Sequence, residues 1–163
     1  LFTYLRSLFS TDLIMELSEQ KLVIRGFKDG ILYEDEPIIA IEETNKGEVV
    51  KAIGANAKSM ASSNITVSNP FKHSRSFIGD FYLAEKILQH GVYTIHKSFI
   101  RPAPRVIMHQ LEKVEGGLTN IEDRVLRELA CGAGAREVII YTGSKINTKL
   151  DTYESIKARV LAT

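Results

Sequence analysis

Three carboxylates stand where they could do chemistry. Glu16 lies near the end of an apolar run, Asp12 to Leu17, and Glu112 and Glu137 fall at the edges of later apolar runs. Carboxylates at strand edges serve phosphodiester hydrolysis when they converge on two metal ions. Nothing in the spacing of these three requires convergence. Each is expected to be a solvated or hairpin-edge glutamate, with no metal held between them. The histidines His73, His90, His96 and His109 are not at i, i+3 or i, i+4 spacing, and none forms a ligand pattern with Cys131. They read as surface or satisfied side chains. Cys131, just before Gly132, reads as a small buried hydrophobe rather than a nucleophile. Lys97, Arg101 and Arg105 gather around two prolines and read as a solvated rim. A nucleic-acid site would want a longer basic patch interleaved with aromatics, so no nucleic-acid partner is expected.

The totals fit this bland reading of the charges. The chain has 163 residues, 44% hydrophobic and 25% charged, with a formal net charge of +1. That is enough length for one domain with its own core. No whole-chain field is available to recruit acidic partners. A single cysteine allows no internal disulfide and fits a reducing cytoplasm. No apolar run approaches the roughly 18 residues of a membrane span, and no signal-peptide pattern is seen.

Periodicity names the elements that must position these residues. Leu1, Phe2, Leu5, Leu8 and Phe9 share one helical face, with Arg6 the charged side chain among them. Asp12 to Leu17, Lys21 to Gly26 and Ile31 to Tyr33 read as three strands, the last two joined by an Asp29-Gly30 turn. Glu36 to Glu42 and Glu48 to Ile53 flank Asn45-Lys46-Gly47 as another hairpin. Gly54 to Met60 reads as a short helix and residues 61–76 as a loop. Phe81, Ala84, Leu88, Val92, Ile95 and Phe99 form one helical stripe, with Asp80 as its cap and Gly91 as a point of close packing. Arg105 to Leu111 is a strand, followed by a turn at Gly116-Gly117. Thr119 with Glu122 is a capping-box pattern opening a helix to Cys131, which Gly132 and Gly134 end. Glu137 to Tyr141 is a strand, and Asp151 with Glu154 opens a last helix bearing Tyr153, Ile156 and Val160. Three meandering strands followed by alternating helices and strands predict an α/β domain with a mixed sheet.

Residues 127–138 read Arg127-Glu128-Leu129-Ala130-Cys131-Gly132-Ala133-Gly134-Ala135-Arg136-Glu137-Val138. This string resembles R-E-x-A-x-G-A-G-A-R-E-V of the rod-shape-determining (MreB) family of bacterial actins. Other segments resemble that family in the same order. Leu5 to Asp12 is similar to its R-x-x-F-S-x-D-L start, Glu36 to Ile41 to its N-E-P-S-V-V-A-I, and Ala52 to Met60 to its A-V-G-x-x-A-K-x-M. Ile78 to Leu88 is similar to its I-A-D-F and the helix after it, and Phe99 to Val106 to its F-M-R-P-S-P-R-V. The resemblance implies a ribonuclease-H-like (actin-like ATPase) single lobe over residues 1–163, a mixed sheet flanked by helices, with a small subdomain inserted at about 36–72. It further implies relatives that bind nucleotide between two lobes, polymerise, and guide rod shape at the inner membrane.

The residues at the implied nucleotide site depart from the family. Its first phosphate loop reads D-L-G-T-A-N-T, and here a shorter stretch reads Glu16-Leu17-Ser18-Glu19-Gln20-Lys21. Ser18 puts a Cβ where glycine lets phosphate pass. Glu19 sets a negative charge beside a triphosphate, and like charges at ~4 Å repel by about 1 kcal/mol in water. Lys21 offsets part of this, but Glu16 and Glu19 outnumber it. The resemblance also implies an acidic pair, with a role in positioning the hydrolytic water, after the signature strand. Ile139 to Lys145 holds no carboxylate. The family's V-P-x-G turn is replaced by a longer stretch, His109 to Gly117. Neither the second phosphate loop, D-x-G-G-G-T, nor a P-loop occurs in the sequence. The expectation is therefore a domain that is not an enzyme and takes no cofactor, with Glu16, Ser18, Glu19 and Lys21 a degenerate phosphate loop.

The amino-terminal face of Leu1, Phe2, Leu5, Leu8 and Phe9 has two readings: packing on the domain or on a second copy, or lying in a membrane surface. Arg6 alone would add only about 1 kcal/mol of attraction to anionic lipid. The expected function is a non-catalytic, rod-shape-protein-like domain. It would act by protein–protein contact or self-association in the cell-shape cytoskeleton or a membrane-attached assembly. The expected place is the cytoplasm, at the inner face of the membrane. The alternative is a split actin-like ATPase that takes its second lobe in trans.

Overall fold

The computed structural model describes residues 11–96 and 102–163. The amino-terminal apolar face, and with it Lys97, Phe99 and Arg101, lies outside the described residues.

The predicted meander forms as β1 (Asp12–Leu17), β2 (Leu22–Gly26) and β3 (Gly30–Asp35), paired antiparallel. Gly30 takes φ 71°, the left-handed conformation that the tight turn needs. Strands β7 (Arg105–Gln110) and β8 (Glu137–Tyr141) join parallel to β1, giving the order β3-β2-β1-β7-β8. Parallel neighbours require crossovers. These run through α1 (Phe81–Ile95) and α2 (Asn120–Gly132), and α3 (Tyr153–Leu161) follows β8.

Alternation along β1 divides the core in two. Leu13, Met15 and Leu17 pack with Val106, Met108 and the helical residues Ile87, Leu88, Leu126 and Leu129. Ile14 points the other way, to Ile107, Ile139, Tyr141, Tyr153 and Ile156. One face of the sheet thus carries α1 and α2, and the other carries α3. The observed sheet and its flanking helices are the mixed α/β layer read from the sequence.

A second sheet forms between β3 and α1: β4 (Ile39–Thr44), β5 (Gly47–Ile53) and β6 (Ile65–Ser68), in the order β5-β4-β6. It is tied to the end of β3 by Asp35, whose Oδ1 accepts the Glu36 and Ala55 N–H groups, each at 2.8 Å. Strand β6 corrects the expectation of a loop over 61–76. It is four residues long with one lateral partner, β4, and its polar flanks mask it. Strand β4 starts at Ile39 rather than Glu36, after Pro37, which has no N–H to give a ladder. The short helix after β5 is a 3-10 turn over Ala55–Ser59.

The helix signals held with two adjustments of cap and face. Asp80 caps α1 by accepting the Leu83 N–H at 3.0 Å, and Thr119 with Glu122 makes the predicted capping box on α2. Gly91 is where α1 closes on the sheet: a Cβ there would lie 2.9 Å from Ile24 Cδ1. Phe81, expected in the apolar stripe, is 38% exposed at the first residue of α1; the buried face is Ala84, Ile87, Leu88, Gly91 and Val92. The last helix is capped by Thr152 with Ser155, one residue later than predicted, because the Asp151 carboxylate accepts from Asn147 N–H and pairs with Arg159. Cys131 is exposed, not buried, because α2 buries Leu126, Leu129 and Ala130 and turns the next position outward.

Candidate functional site

The carboxyl ends of β1, β7 and β8 meet in one rung. Glu16 stands opposite His109, and His109 opposite Tyr141. By the alternation of the strands these three share the face that holds Ile14, Ile107 and Ile139. They are therefore buried polar groups at the end of an apolar layer: Glu16 is 7% exposed, His109 1% and Tyr141 7%. Burial of such groups is tolerated when partners are supplied.

The partners come from β2 and from the segment after β8. Arg25 Nη2 lies 2.6 Å from Glu16 Oε1 and also donates to the Ile146 carbonyl at 3.2 Å. His109 Nε2 is 2.9 Å from the Gly143 carbonyl, a geometry in which the protonated Nε2 donates. Its ring meets that of Tyr141 at 4.8 Å between centroids. Gly143 is required there, since a Cβ would fall 2.5 Å from the Tyr141 hydroxyl. Burial pushes the His109 pKa below its ordinary 6.5; the Gly143 carbonyl and Glu16 pull it upward, and Arg25 adds to the depression. His109 is thus held neutral near pH 7, with a buried Nδ1 that has no protein partner.

Above this rung sits the β1–β2 turn. Ser18 N–H and Oγ both donate to the Lys21 carbonyl at 3.1 Å, and Lys21 N–H donates back to Ser18 Oγ at 3.0 Å. The Ser18 hydroxyl therefore closes the turn on itself. Glu19 is held from three sides. Its N–H donates to Glu112 Oε2 at 2.7 Å, its carbonyl accepts from Asn69 Nδ2 at 2.7 Å, and its carboxylate lies 2.9 Å from Lys113 Nζ. Lys21 does not balance Glu16 and Glu19 as expected, because it pairs with Glu34 on β3 at 2.5 Å. Arg25 and Lys113 take that role.

Glu16, Ser18, Glu19 and Lys21 are thus brought to one end of the sheet. Glu137 is not among them. It lies at the opposite end of β8, opposite Arg105, and pairs with Lys157 at 2.8 Å. The three carboxylates of a two-metal centre do not converge. Among the described residues no group of three or more His, Cys, Asp or Glu could hold a metal ion. Glu122 is engaged by Thr119 N–H and Oγ1, each at 2.8 Å. Arg105 is no free rim charge either, being bonded to Asp12 at 2.7 Å and Glu154 at 2.5 Å. Sequence reasoning missed Arg25, Asn69, His109 and Lys113. The signals were an arginine in an otherwise apolar strand and a lengthened segment after β7.

Comparison with known proteins agrees with this architecture. The chain is 38% identical over 141 residues to the cell shape-determining protein MreB of Escherichia coli K12, covering 83% of this chain and 39% of that protein. It spans about two fifths of the length of the curated relatives it matches. Among solved structures, MreB 5 of Spiroplasma citri bound to AMPPNP superposes with a TM-score of 0.65 at 20% identity, over 82% of this chain and 38% of that one. The MamK double helical filament superposes at 0.56 with 11% identity, over 80% of this chain and 41% of that one. Both neighbours share the actin-like fold. The family profile described as MreB/Mbl protein matches residues 10–148, so this chain, with its actin-like sheet, belongs to the MreB/Mbl family.

Proposed function

We propose that this chain is a non-catalytic member of its family that acts by protein contact, on the cell-shape cytoskeleton or on a membrane-attached assembly, from the cytoplasmic side. The observation that carries the reading is the Arg25–Glu16 pair. Glu16 stands where the family resemblance places a carboxylate that organises metal and water. Here it is buried and neutralised by the chain's own arginine at 2.6 Å. A carboxylate so engaged would have to give up that partner to meet a hydrated cation. Glu19 adds a fixed negative charge at the turn, half-buried against Lys113. Contact is the function that survives without chemistry. MamK, which shares the fold, forms a double helical filament, and the most direct partner for an actin-like lobe is another actin-like subunit, either a second copy or a full-length MreB.

The test is phosphate release from Mg-ATP by this chain, by full-length MreB, and by the two together, alongside co-sedimentation. The reading expects no release by the chain alone, co-sedimentation with MreB polymer, and turnover per MreB that this chain does not raise. Turnover that climbs when the chain is added would favour the rival, a split ATPase with its second lobe supplied in trans.

A further inference from the structure

After β8 the chain crosses the end of the buried rung in four exposed residues, Thr142 to Lys145. Ile146 then turns its side chain back into the core, at 1% exposure. Two hydrogen bonds hold this strap down, and both come from the rung or its partner. His109 Nε2 donates to the Gly143 carbonyl at 2.9 Å. Arg25 Nη2, which also holds Glu16, donates to the Ile146 carbonyl at 3.2 Å. Space lies on both sides of the strap. Lys145 lines one hollow of about 400 Å³ with Glu16, Arg25 and Leu111, and Tyr141, Gly143 and Arg159 line another of about 400 Å³. The His109 ring is kept from water by a thin cover with room to move.

The closed geometry suits a neutral imidazole alone. Nε2 carries its proton toward Gly143, so Nδ1 bears a lone pair, buried and without a partner among the described residues. A second proton, at Nδ1, makes a buried cation with nothing to receive it. The groups around the ring supply no free anion. Glu16 from β1 is taken by Arg25 from β2 at 2.6 Å. Strand β8 contributes the Tyr141 phenol, the strap contributes Lys145, and Arg159 of α3 is paired with Asp151. We propose that residues 142–146 form a proton-gated strap: protonation of His109 at Nδ1 releases the Gly143 carbonyl and lets water reach the Glu16–His109–Tyr141 rung from the adjoining hollows. The sign follows from burial. The closed ring titrates below 6.5 and an opened, hydrated ring near it, so the strap is shut above about pH 6.5 and opens as pH falls toward the closed value. Each unit between the two values favours opening about tenfold. The device stands whether or not the chain binds nucleotide, since neither of its ties involves the β1–β2 turn.

NMR of the wild-type chain with an uncharged gadolinium chelate in the solvent tests this. At about pH 7.5 the His109 and Tyr141 ring protons are expected to be shielded from broadening. Between about pH 7.5 and about pH 5.5 the His109 ring titrates and broadening of both rings rises severalfold along the same curve. The methyl signals of Leu13 and Met108, fully buried on the opposite face of the sheet, stay shielded throughout. His109→Gln keeps a donor for Gly143 but takes no proton, and Tyr141 should stay shielded at both pH values. Gly143→Ala sets a Cβ 2.5 Å from the Tyr141 hydroxyl, which forces the strap open without touching the histidine. Its His109 should be broadened already at about pH 7.5 and titrate closer to its ordinary value. The proposal is overturned if the wild-type ring takes its proton while remaining shielded, or stays neutral until Leu13 and Met108 are exposed with it. It is equally overturned if Tyr141 in His109→Gln broadens with pH as in wild type, or if His109 in Gly143→Ala is as shielded as in wild type.

Discussion

Replacing Arg25 by Met strips the cation from Glu16 and leaves a carboxylate whose side chain is only 9% exposed. The guanidinium lies 2.6 Å away and is itself 12% exposed, so the pair is nearly but not fully dry. Removing one partner of a buried pair costs about 3–5 kcal/mol. The residual exposure argues for the lower end, about 3 kcal/mol, with the lost hydrogen bond to the Ile146 carbonyl included. Against a total of about 5–15 kcal/mol for a domain, that is a large fraction. Urea unfolding should show a lower midpoint with an unchanged slope. The double variant Glu16→Leu with Arg25→Met removes both charges and should return to within about 1 kcal/mol of wild type. The reasoning fails if Arg25→Met costs less than about 1 kcal/mol, or if the double variant is as unstable as the single one.

Other perturbations probe the frame around the site. Because burial lowers the His109 pKa in the folded state, the unfolded chain takes up a proton that the folded chain refuses. Stability contributed this way is present above about pH 6.5 and is lost as pH falls toward the lower folded pKa. Wild type should therefore lose more of its urea midpoint between about pH 7.5 and about pH 5.5 than His109→Gln does, and equal losses would count against a buried neutral ring. Gly54 has φ 98° and a Cβ there would lie 1.9 Å from Asp35 Oδ2, so Gly54→Ala should cost about 1–3 kcal/mol, read as a drop in melting temperature; an unchanged melt would contradict the Asp35 tether. Thr119→Ala removes half of the α2 capping box and should cost about 1 kcal/mol in the same melt.

The strands and helices that carry the sheet were legible because their signals are local. The short apolar run Asp12–Leu17, the Asp29-Gly30 turn and the Thr119/Glu122 box each specify geometry within a few residues. Strand β6 was not legible, since four residues with one lateral partner need little apolar sequence of their own. Cys131 was misjudged because residue type predicts burial less well than position around a helix. In the site, Ser18 and Glu19 lie in the turn between β1 and β2, but the charges that balance them were not legible. Lys21 is close in sequence yet turns to Glu34, while Arg25 and Lys113 arrive through strand register and a left-handed residue. Register and chain reversal join residues 93 positions apart, as Glu19 and Glu112 are, and periodicity carries no such information.

Isothermal titration of Mg-ATP into this chain alone tests the central claim that its nucleotide chemistry is gone. The account predicts no saturable heat with nucleotide raised to millimolar concentration. A dissociation constant in the micromolar range, worth about 8 kcal/mol of binding, would contradict it.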